Sequence, residues 1–99
     1  MGRSKENARQ KKTENHYRLV IVKSALKQLS KISEPYNSKI VEKINSLSID
    51  PRPFGVEKLI SRDNEYRVRV GVYRIVYSIF DNLLLIEVVD IDHRKQIYR

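Results

Sequence analysis

The spacing of apolar residues in the first half of the chain predicts one strand followed by two helices. Tyr17–Val22 is short, apolar and rich in β-branched residues, as a strand requires. From Ser24, a plausible N-cap, the apolar period becomes helical, with Leu26, Leu29 and Ile32 on one face. Pro35 ends that helix and suits the first turn of the next. The second helix is marked by apolar residues at Ile40, Val41, Ile44 and Leu47.

The second half of the chain reads as three strands, Glu65–Val70, Tyr73–Phe80 and Leu83–Ile91. Two-residue gaps at Gly71–Val72 and Asp81–Asn82 predict tight hairpin turns between them. The stretch before these strands has no clear period and is predicted as a loop or a ragged strand. The order β-α-α-β-β-β predicts an α+β fold, an antiparallel meander with an N-terminal strand and an α-helical hairpin packed on one face.

Length and composition describe one small basic domain. The chain has 99 residues, a formal net charge of +8 and a sequence pI near 9.9. Such a balance is a reason to look for a nucleic-acid surface. Residues 1–15 are basic with almost nothing apolar, so we expect a disordered tail, either merely solvated or an electrostatic arm for RNA. The domain itself is then predicted over 16–99.

Several classes of chemistry find no support in the composition. The chain has no cysteine, and its two histidines, His16 and His93, lie far apart, so neither a metal nor another cofactor is expected. No stretch approaches the ~18–20 apolar residues that span a bilayer, and the first residues lack the apolar core of a secretory signal. We therefore expect a cytoplasmic protein.

The predicted hairpin gathers arginines on one face of the sheet. If Gly71 and Val72 form the turn, Arg69 lies opposite Arg74, and Arg67 shares their face because side chains alternate along a strand. Glu87 is then the single candidate counter-charge in the strands. The arginines are either solvated, with their stems covering the sheet, or a phosphate site, since guanidinium forks match phosphate oxygens.

Candidate chemistry continues after the last strand. His93 follows it directly and is expected beside the arginines, close to Arg74 at the start of the middle strand. It could transfer a proton near neutral pH or be an ordinary surface histidine. Tyr98 could stack on a base or close the edge of the core. Lys58 and Arg62, in the ragged stretch, are predicted RNA contacts.

The run from Tyr66 to Arg99 resembles the C-terminal half of the RelE/ParE toxin superfamily of type II toxin–antitoxin systems. The Tyr-Arg-apolar-apolar-Tyr stretch Tyr73–Tyr77 and the terminal His-Arg carry the resemblance, and the helical hairpin and Glu57–Lys58–Leu59 fit it. It implies a ribosome-dependent endoribonuclease that cuts messenger RNA in the A site by attack of the ribose 2′-hydroxyl on the adjacent phosphate. The same superfamily also holds ParE-like gyrase poisons, which are the alternative, and a basic RNA-binding module without activity is a third.

The resemblance also implies roles for individual residues. Arg67 and Arg69 match a pair of basic catalytic positions, Arg74 and Arg94 match phosphate-binding arginines, and Tyr98 matches a catalytic or stacking tyrosine. Lysine is frequent at the first two positions, and arginine cannot be deprotonated in a protein. The general base is then His93 or a group of the RNA, or the enzyme relies on electrostatic stabilisation of the phosphorane without a base. Three carboxylates are also possible bases and rank below His93: Glu57, Glu65 and Glu87.

The implied partner is an acidic, RelB-like antitoxin, through which any contact with operator DNA would be made. It should fold on binding and cover the arginines together with a neighbouring apolar patch. That patch is predicted on the same face and its rim, at Val76, Leu85, Val89, Phe80 and Leu83.

Overall fold

A computed structural model describes residues 16–60 and 63–93 as a sheet with two helices on one face. The predicted tail at 1–15 lies outside these residues. The chain follows the order of elements expected from the sequence, with one short extra strand before the long ones. The elements are β1 Arg18–Ile21, α1 Lys23–Ser30, α2 Tyr36–Leu47, β2 Glu57–Lys58, β3 Glu65–Val70, β4 Tyr73–Phe80, a 3₁₀ turn Asp81–Leu83 and β5 Leu85–His93.

The sheet has five strands in the order β1-β5-β4-β3-β2. Strands β2 to β5 pair antiparallel with their neighbours, as the predicted meander requires. The N-terminal strand pairs parallel to β5, with Arg18 beside Leu85 and Ile21 beside Val88. The sheet is therefore mixed, and the predicted α+β class is confirmed.

The helices differ in detail from their predicted limits. Helix α1 begins at Lys23 after Val22, so Ser24 lies inside it and is not its N-cap. Leu26 is 49% exposed, because it lies about 100° around the helix from the buried Ala25. Glu34 precedes α2 and accepts hydrogen bonds from the Ser38 amide (3.1 Å) and hydroxyl (2.9 Å). No helix in the described parts of the chain is long and apolar enough to cross a membrane.

The core lies between the helices and the apolar face of the sheet, as the alternation predicted. Val68, Ile75, Tyr77 and Ile79 are buried there against α1 and α2, while Val41 of the predicted helix face is 38% exposed. The largest fully buried side chains are Tyr77, Ile40, Leu47, Ile75, Ile86 and Val88.

The connection between β4 and β5 is longer than the predicted turn at Asp81–Asn82. Phe80 pairs with Leu85, so residues 81–84 form the loop, and Leu84 adopts a left-handed conformation with φ 49°. Asp81 anchors this loop by accepting hydrogen bonds from the Tyr17 hydroxyl (2.7 Å) and from Arg52, whose nearer nitrogen lies 2.9 Å away. Strand β5 therefore starts and ends two residues later than predicted.

The β3–β4 turn at Gly71–Val72 is as predicted. Val70 pairs with Tyr73 across it, and of the two turn residues only Gly71 has a positive φ, at +60°. A Cβ atom on Gly71 would overlap the ring of Tyr36, which packs edge-on against Tyr73 with ring centres 5.4 Å apart. Glycine is needed here for both conformation and space.

Replacing Gly71 with alanine should therefore destabilise the fold by about 2 kcal/mol or more, since the strained conformation alone costs about 1–3 kcal/mol and the Tyr36 ring must also move. Urea unfolding measures the change. Gly55→Ala is the matched control, because Gly55 also has a positive φ (+90°) but open space around it. Equal losses in the two variants would contradict the steric part of the argument.

Candidate active site on the arginine face

The β3–β4 register brings three arginines to the sheet face that the helices leave open, the arginine face. Arg69 pairs with Arg74, and Arg67 pairs with Val76, as predicted. Their accessibility differs: Arg69 is exposed, Arg67 is partly buried and Arg74 is only 7% exposed. Arg74 therefore lies on the face that the register predicts, but its side chain is nearly buried there.

Glu57 is the negative charge that pairs with the arginines, a pairing that was not predicted from the sequence. The short strand β2 pairs Glu57 with Arg67, and the Arg67 Nε donates a 2.7 Å hydrogen bond to Glu57 Oε1. Glu87, the single candidate counter-charge expected in the strands, pairs with Ser78 farther along the sheet. A two-residue strand has no periodicity to detect, which is why its register could not be predicted.

The Glu57 carboxylate lies in the field of all three arginines. Its pKa is lowered first by the hydrogen bond from Arg67, then by the charge of Arg67 and by the charges of Arg74 and Arg69. The carboxylate is consequently ionised at neutral pH, and its side chain remains 61% exposed. A substrate can therefore reach the Glu57 carboxylate, which can accept a proton and lies beside three positively charged arginines.

A β-bulge changes which C-terminal residues share the arginine face. The β4–β5 register shifts by one between Val76 and Tyr77, so that Tyr77 pairs with Val88 but Val76 pairs with Asp90. Beyond the shift, Asp92 pairs with Arg74. The extra residue in β5 reverses the alternation, and bulges commonly re-aim side chains next to active sites. Two carboxyl groups thereby join the arginine face.

One side chain of α1 reaches these carboxyl groups around the edge of β5, beyond the residues that pair with β1. Gln28 Nε2 donates to Asp90 Oδ1 (2.8 Å) and to Asp92 Oδ1 (3.4 Å), while Gln28 Oε1 accepts from the Ile91 amide (2.9 Å). The pKa of Asp92 is raised to about 6 by its hydrogen bond with Asp90, by partial burial and by the charge of Asp90. The arginine face thus holds two acids whose pKa values are shifted in opposite directions.

The bulge also moves His93 away from the arginines. His93 pairs with Tyr73, and the two rings meet edge-on with centres 5.3 Å apart. Tyr73 lies on the face of the buried Ile75 and Tyr77, so the expectation that His93 stands beside the arginines is wrong. The end of β5 does return beside the start of β4, as predicted, but with the imidazole on the other face.

The remaining candidates are dispersed or lie outside the described residues. Lys58 pairs with Tyr66, one position away from the Glu57–Arg67 pair and on the opposite face. Its Nζ donates to the Asp63 carbonyl (2.8 Å) and lies 5.8 Å from the centre of the Tyr66 ring. Arg62, Arg94 and Tyr98 fall outside the described residues.

Across the sheet, the site is a band with carboxyl groups at both ends and arginines between them. One row runs from Glu57 through Arg67, and the adjacent row runs from Arg69 through Arg74 to Asp92. Guanidinium groups bind phosphate oxygens in bidentate geometry and keep their charge at any working pH. The arrangement can hold a phosphodiester over β3 and β4 between two proton-transferring groups.

Comparison with known proteins identifies the class. The family described as ParE toxin of type II toxin-antitoxin system, parDE, matches residues 19–98. The chain therefore belongs to this toxin family, within the RelE/ParE superfamily of type II toxin–antitoxin systems. No curated protein matches the sequence.

Solved structures show the RelE fold. A chain in the archaeal RelE–RelB complex from Pyrococcus horikoshii is 28% identical, with a TM-score of 0.72 and coverage of 80% of this chain and 96% of that one. The RelBE2 toxin–antitoxin complex from Mycobacterium tuberculosis gives 26% identity, a TM-score of 0.70 and coverages of 80% and 92%. Isolated E. coli RelE shares the fold at 23% identity, with a TM-score of 0.70 and coverages of 83% and 90%.

The carboxyl pair on β5 predicts a titration that can be observed directly. Carbon-detected NMR should show Asp92 titrating near pH 6, and Asp90→Asn should lower that midpoint toward the ordinary 3.8. Because the pKa is raised in the folded state, the contribution of this carboxyl to stability is present below about pH 3.8 and is lost as pH rises through about 6. An Asp92 midpoint near 4 in the unmodified protein would contradict this description.

Proposed function

We propose that this toxin is a ribosome-dependent endoribonuclease that cuts messenger RNA in the A site. The observation that carries the proposal is the convergence of Arg67, Arg69 and Arg74 around the ionised Glu57. A phosphate site with an adjacent base suits attack of a ribose 2′-hydroxyl on its own phosphodiester. The likeness to RelE structures above 25% identity supports this choice within the superfamily.

In the proposed reaction the arginines bind the scissile phosphate and stabilise the charge that develops on it. Such preorganised donors act mainly on the transition state, where the negative charge is greatest. Arg94 and Tyr98 keep their predicted roles as a further phosphate contact and a stacking or catalytic tyrosine. Arg62 and Lys58 remain predicted RNA contacts.

Glu57 is the base in this proposal. The arginines cannot lose a proton, and the imidazole of His93 lies against Tyr73 on the other face. When the phosphate binds Arg67, the Glu57–Arg67 pair opens and the carboxylate is released toward the 2′-hydroxyl. Glu57 therefore replaces His93 as the first choice among the groups considered from the sequence.

Replacing Glu57 with glutamine should slow cleavage by about 10²–10⁴-fold, the usual contribution of a general base. The side chain is exposed, so the fold should not change. Single-turnover cleavage of messenger RNA on programmed ribosomes measures the rate. Glu42→Gln, an exposed carboxylate on α2, is the matched control and should cleave at the rate of the unmodified protein. Cleavage by Glu57→Gln at the unmodified rate would remove Glu57 from the reaction.

His93→Gln should retain cleavage within a few-fold, because the imidazole lies on the Tyr73 face and not beside the phosphate site. Glutamine keeps hydrogen-bonding capacity but removes titration near neutral pH. The same single-turnover assay, run between pH 5.5 and 8, is the measurement. A loss of about 10²-fold or more, together with a missing limb in the pH profile, would restore His93 as an acid or base.

The alternative is a gyrase poison, which the ParE description of the matching family favours. The two functions separate in one comparison: induce the toxin, map new messenger RNA 5′ ends, and assay purified gyrase for inhibited supercoiling. We expect cuts within codons and normal supercoiling, and no cuts from Arg74→Lys, which keeps a cation but loses the guanidinium fork. Intact messages with inhibited supercoiling would establish the alternative.

We propose further that an acidic antitoxin covers the arginine face. The RelE–RelB and RelBE2 structures are complexes of related toxins with antitoxins, which supports such a partner here. The apolar contribution would come from half-buried Val76, Leu85 and Val89 and from Leu83, which is 66% exposed. A toxin that acts on ribosomes would work in the cytoplasm, which is the location we propose.

The antitoxin encoded by a neighbouring gene should restore growth on co-expression. Its complex should weaken as salt rises, because the added ions screen the attraction between its carboxylates and the arginines. Isothermal titration at 50 and 500 mM salt measures the change. Arg69→Ala, at the most exposed of the three arginines, should reduce the salt dependence. A complex insensitive to salt and to this change would place the antitoxin on the helices instead.

A further inference from the structure

We propose that Asp92 is the catalytic acid that protonates the leaving 5′-oxygen of the cut messenger RNA. The inference rests on the proposed ribonuclease function and adds the second proton-transfer group to it. The Asp92 carboxyl lies on the arginine face, in register with Arg74 and next but one to Arg69 across the sheet. Neither the family match nor the resemblance assigns it a role.

The proposed step is a balanced phosphoryl transfer. Glu57 takes the proton of the 2′-hydroxyl, whose oxygen forms a bond to phosphorus. The bond from phosphorus to the 5′-oxygen breaks, and that oxygen takes the proton from the Asp92 carboxyl. The products are a 2′,3′-cyclic phosphate and a 5′-hydroxyl, and solvent then returns a proton to Asp92 while Glu57 releases one.

The order of strands places the two carboxyl groups on opposite sides of the phosphate site. Glu57 belongs to β2 and Asp92 to β5, with the arginines on β3 and β4 between them. Strands lie about 4.8 Å apart, so the two backbones are separated by about 14 Å, with the two arginine-bearing strands between them. An in-line displacement needs its base and its acid on opposite sides of phosphorus, which this arrangement provides.

The surroundings suit Asp92 to donate rather than to accept a proton. Asp90, on the same strand, shares a hydrogen bond with Asp92, and Gln28 of α1 donates hydrogen bonds to both carboxyl groups. The cation opposite Asp92 on the neighbouring strand is Arg74. The hydrogen bond with Asp90, partial burial and the charge of Asp90 raise the pKa of Asp92, whereas the hydrogen bond and charge of Arg67 lower that of Glu57. Two acids whose pKa values are driven apart in one site are the usual acid and base pair.

Other groups fit the leaving-group position less well. Arginines hold their protons too strongly to be efficient acids at neutral pH. His93 and Lys58 lie on the opposite face, and Glu87 pairs with Ser78 away from Arg74. Asp90 belongs to the row of Val76, with no arginine directly opposite it, and accepts the shorter Gln28 hydrogen bond.

The decisive test uses a leaving group that needs no acid. A messenger RNA with sulfur in place of the bridging 5′-oxygen at the mapped cut site leaves as a thiolate. Asp92→Asn should cut the ordinary RNA about 10²–10⁴-fold more slowly than the unmodified protein but cut the 5′-thio RNA within a few-fold of it. Glu57→Gln should stay slow on both, because the 2′-hydroxyl proton must still be removed.

The outcomes separate this role from the proposed function. Full activity of Asp92→Asn on ordinary RNA, or equal slowing on both RNAs, would overturn the assignment of Asp92 and leave the ribonuclease intact. An unmodified protein that cuts neither RNA would instead remove the ribonuclease itself, and the role of Asp92 with it. Thermal unfolding checks that each variant folds.

A second readout is the pH profile of cleavage. The rate should fall as pH rises through the pKa of Asp92, since only the protonated form donates. Asp90→Asn removes a neighbouring charge and offers an amide donor to Asp92, so this fall should move to lower pH. An unchanged profile in Asp90→Asn would contradict the proposal, because a merely structural Asp92 would leave it in place.

Discussion

The pairing of β3 with β4 across Gly71–Val72 is the constraint on which the rest of the structure depends. It fixes the partner of every side chain on both strands and sends the apolar set to the helices and the arginines to the other face. A slip of one residue would bury the arginines and expose the core, since side chains alternate along a strand. Fold and site are therefore specified by the same register.

That register brings Arg69 directly opposite Arg74, which by itself destabilises a sheet. The strands on either side of this arginine pair carry carboxyl groups, Glu57 on β2 and Asp92 on β5. The nearly buried Arg74 lies between them, in the most restricted position of the three. Positive charge held in place with carboxyl groups at its margins is what a phosphate-cleaving site requires, and an acidic partner fits the same charges.

A feature of the fold or the site could be predicted from the sequence where neighbouring residues alone determine it. The hairpin register follows from one glycine and two alternating runs, so the placement of Arg67, Arg69 and Arg74 on one face was predictable. The acids at the margins were not. Glu57 acts from a strand too short to show a period, and Asp92 reaches the arginine face through a bulge.

The same bulge explains the error at His93. Strict alternation from Glu87 would have placed His93 on the arginine face, and one extra residue in β5 reverses the result. The length of the β4–β5 loop was mispredicted for a similar reason, because the loop is held by hydrogen bonds from Tyr17 and Arg52, which are far away in the sequence. Contacts of this kind are tertiary, and no local pattern records them.

The most direct test of the central claim is whether cleavage needs the ribose hydroxyl next to the cut phosphate. Purified toxin and programmed ribosomes are given a messenger RNA whose nucleotide before the cut site is 2′-deoxy, beside the unmodified RNA. The account predicts that the unmodified RNA is cut to a 2′,3′-cyclic phosphate and a 5′-hydroxyl, and that the deoxy RNA stays whole at that position. Cutting both RNAs at the same position, or cutting neither, would contradict it.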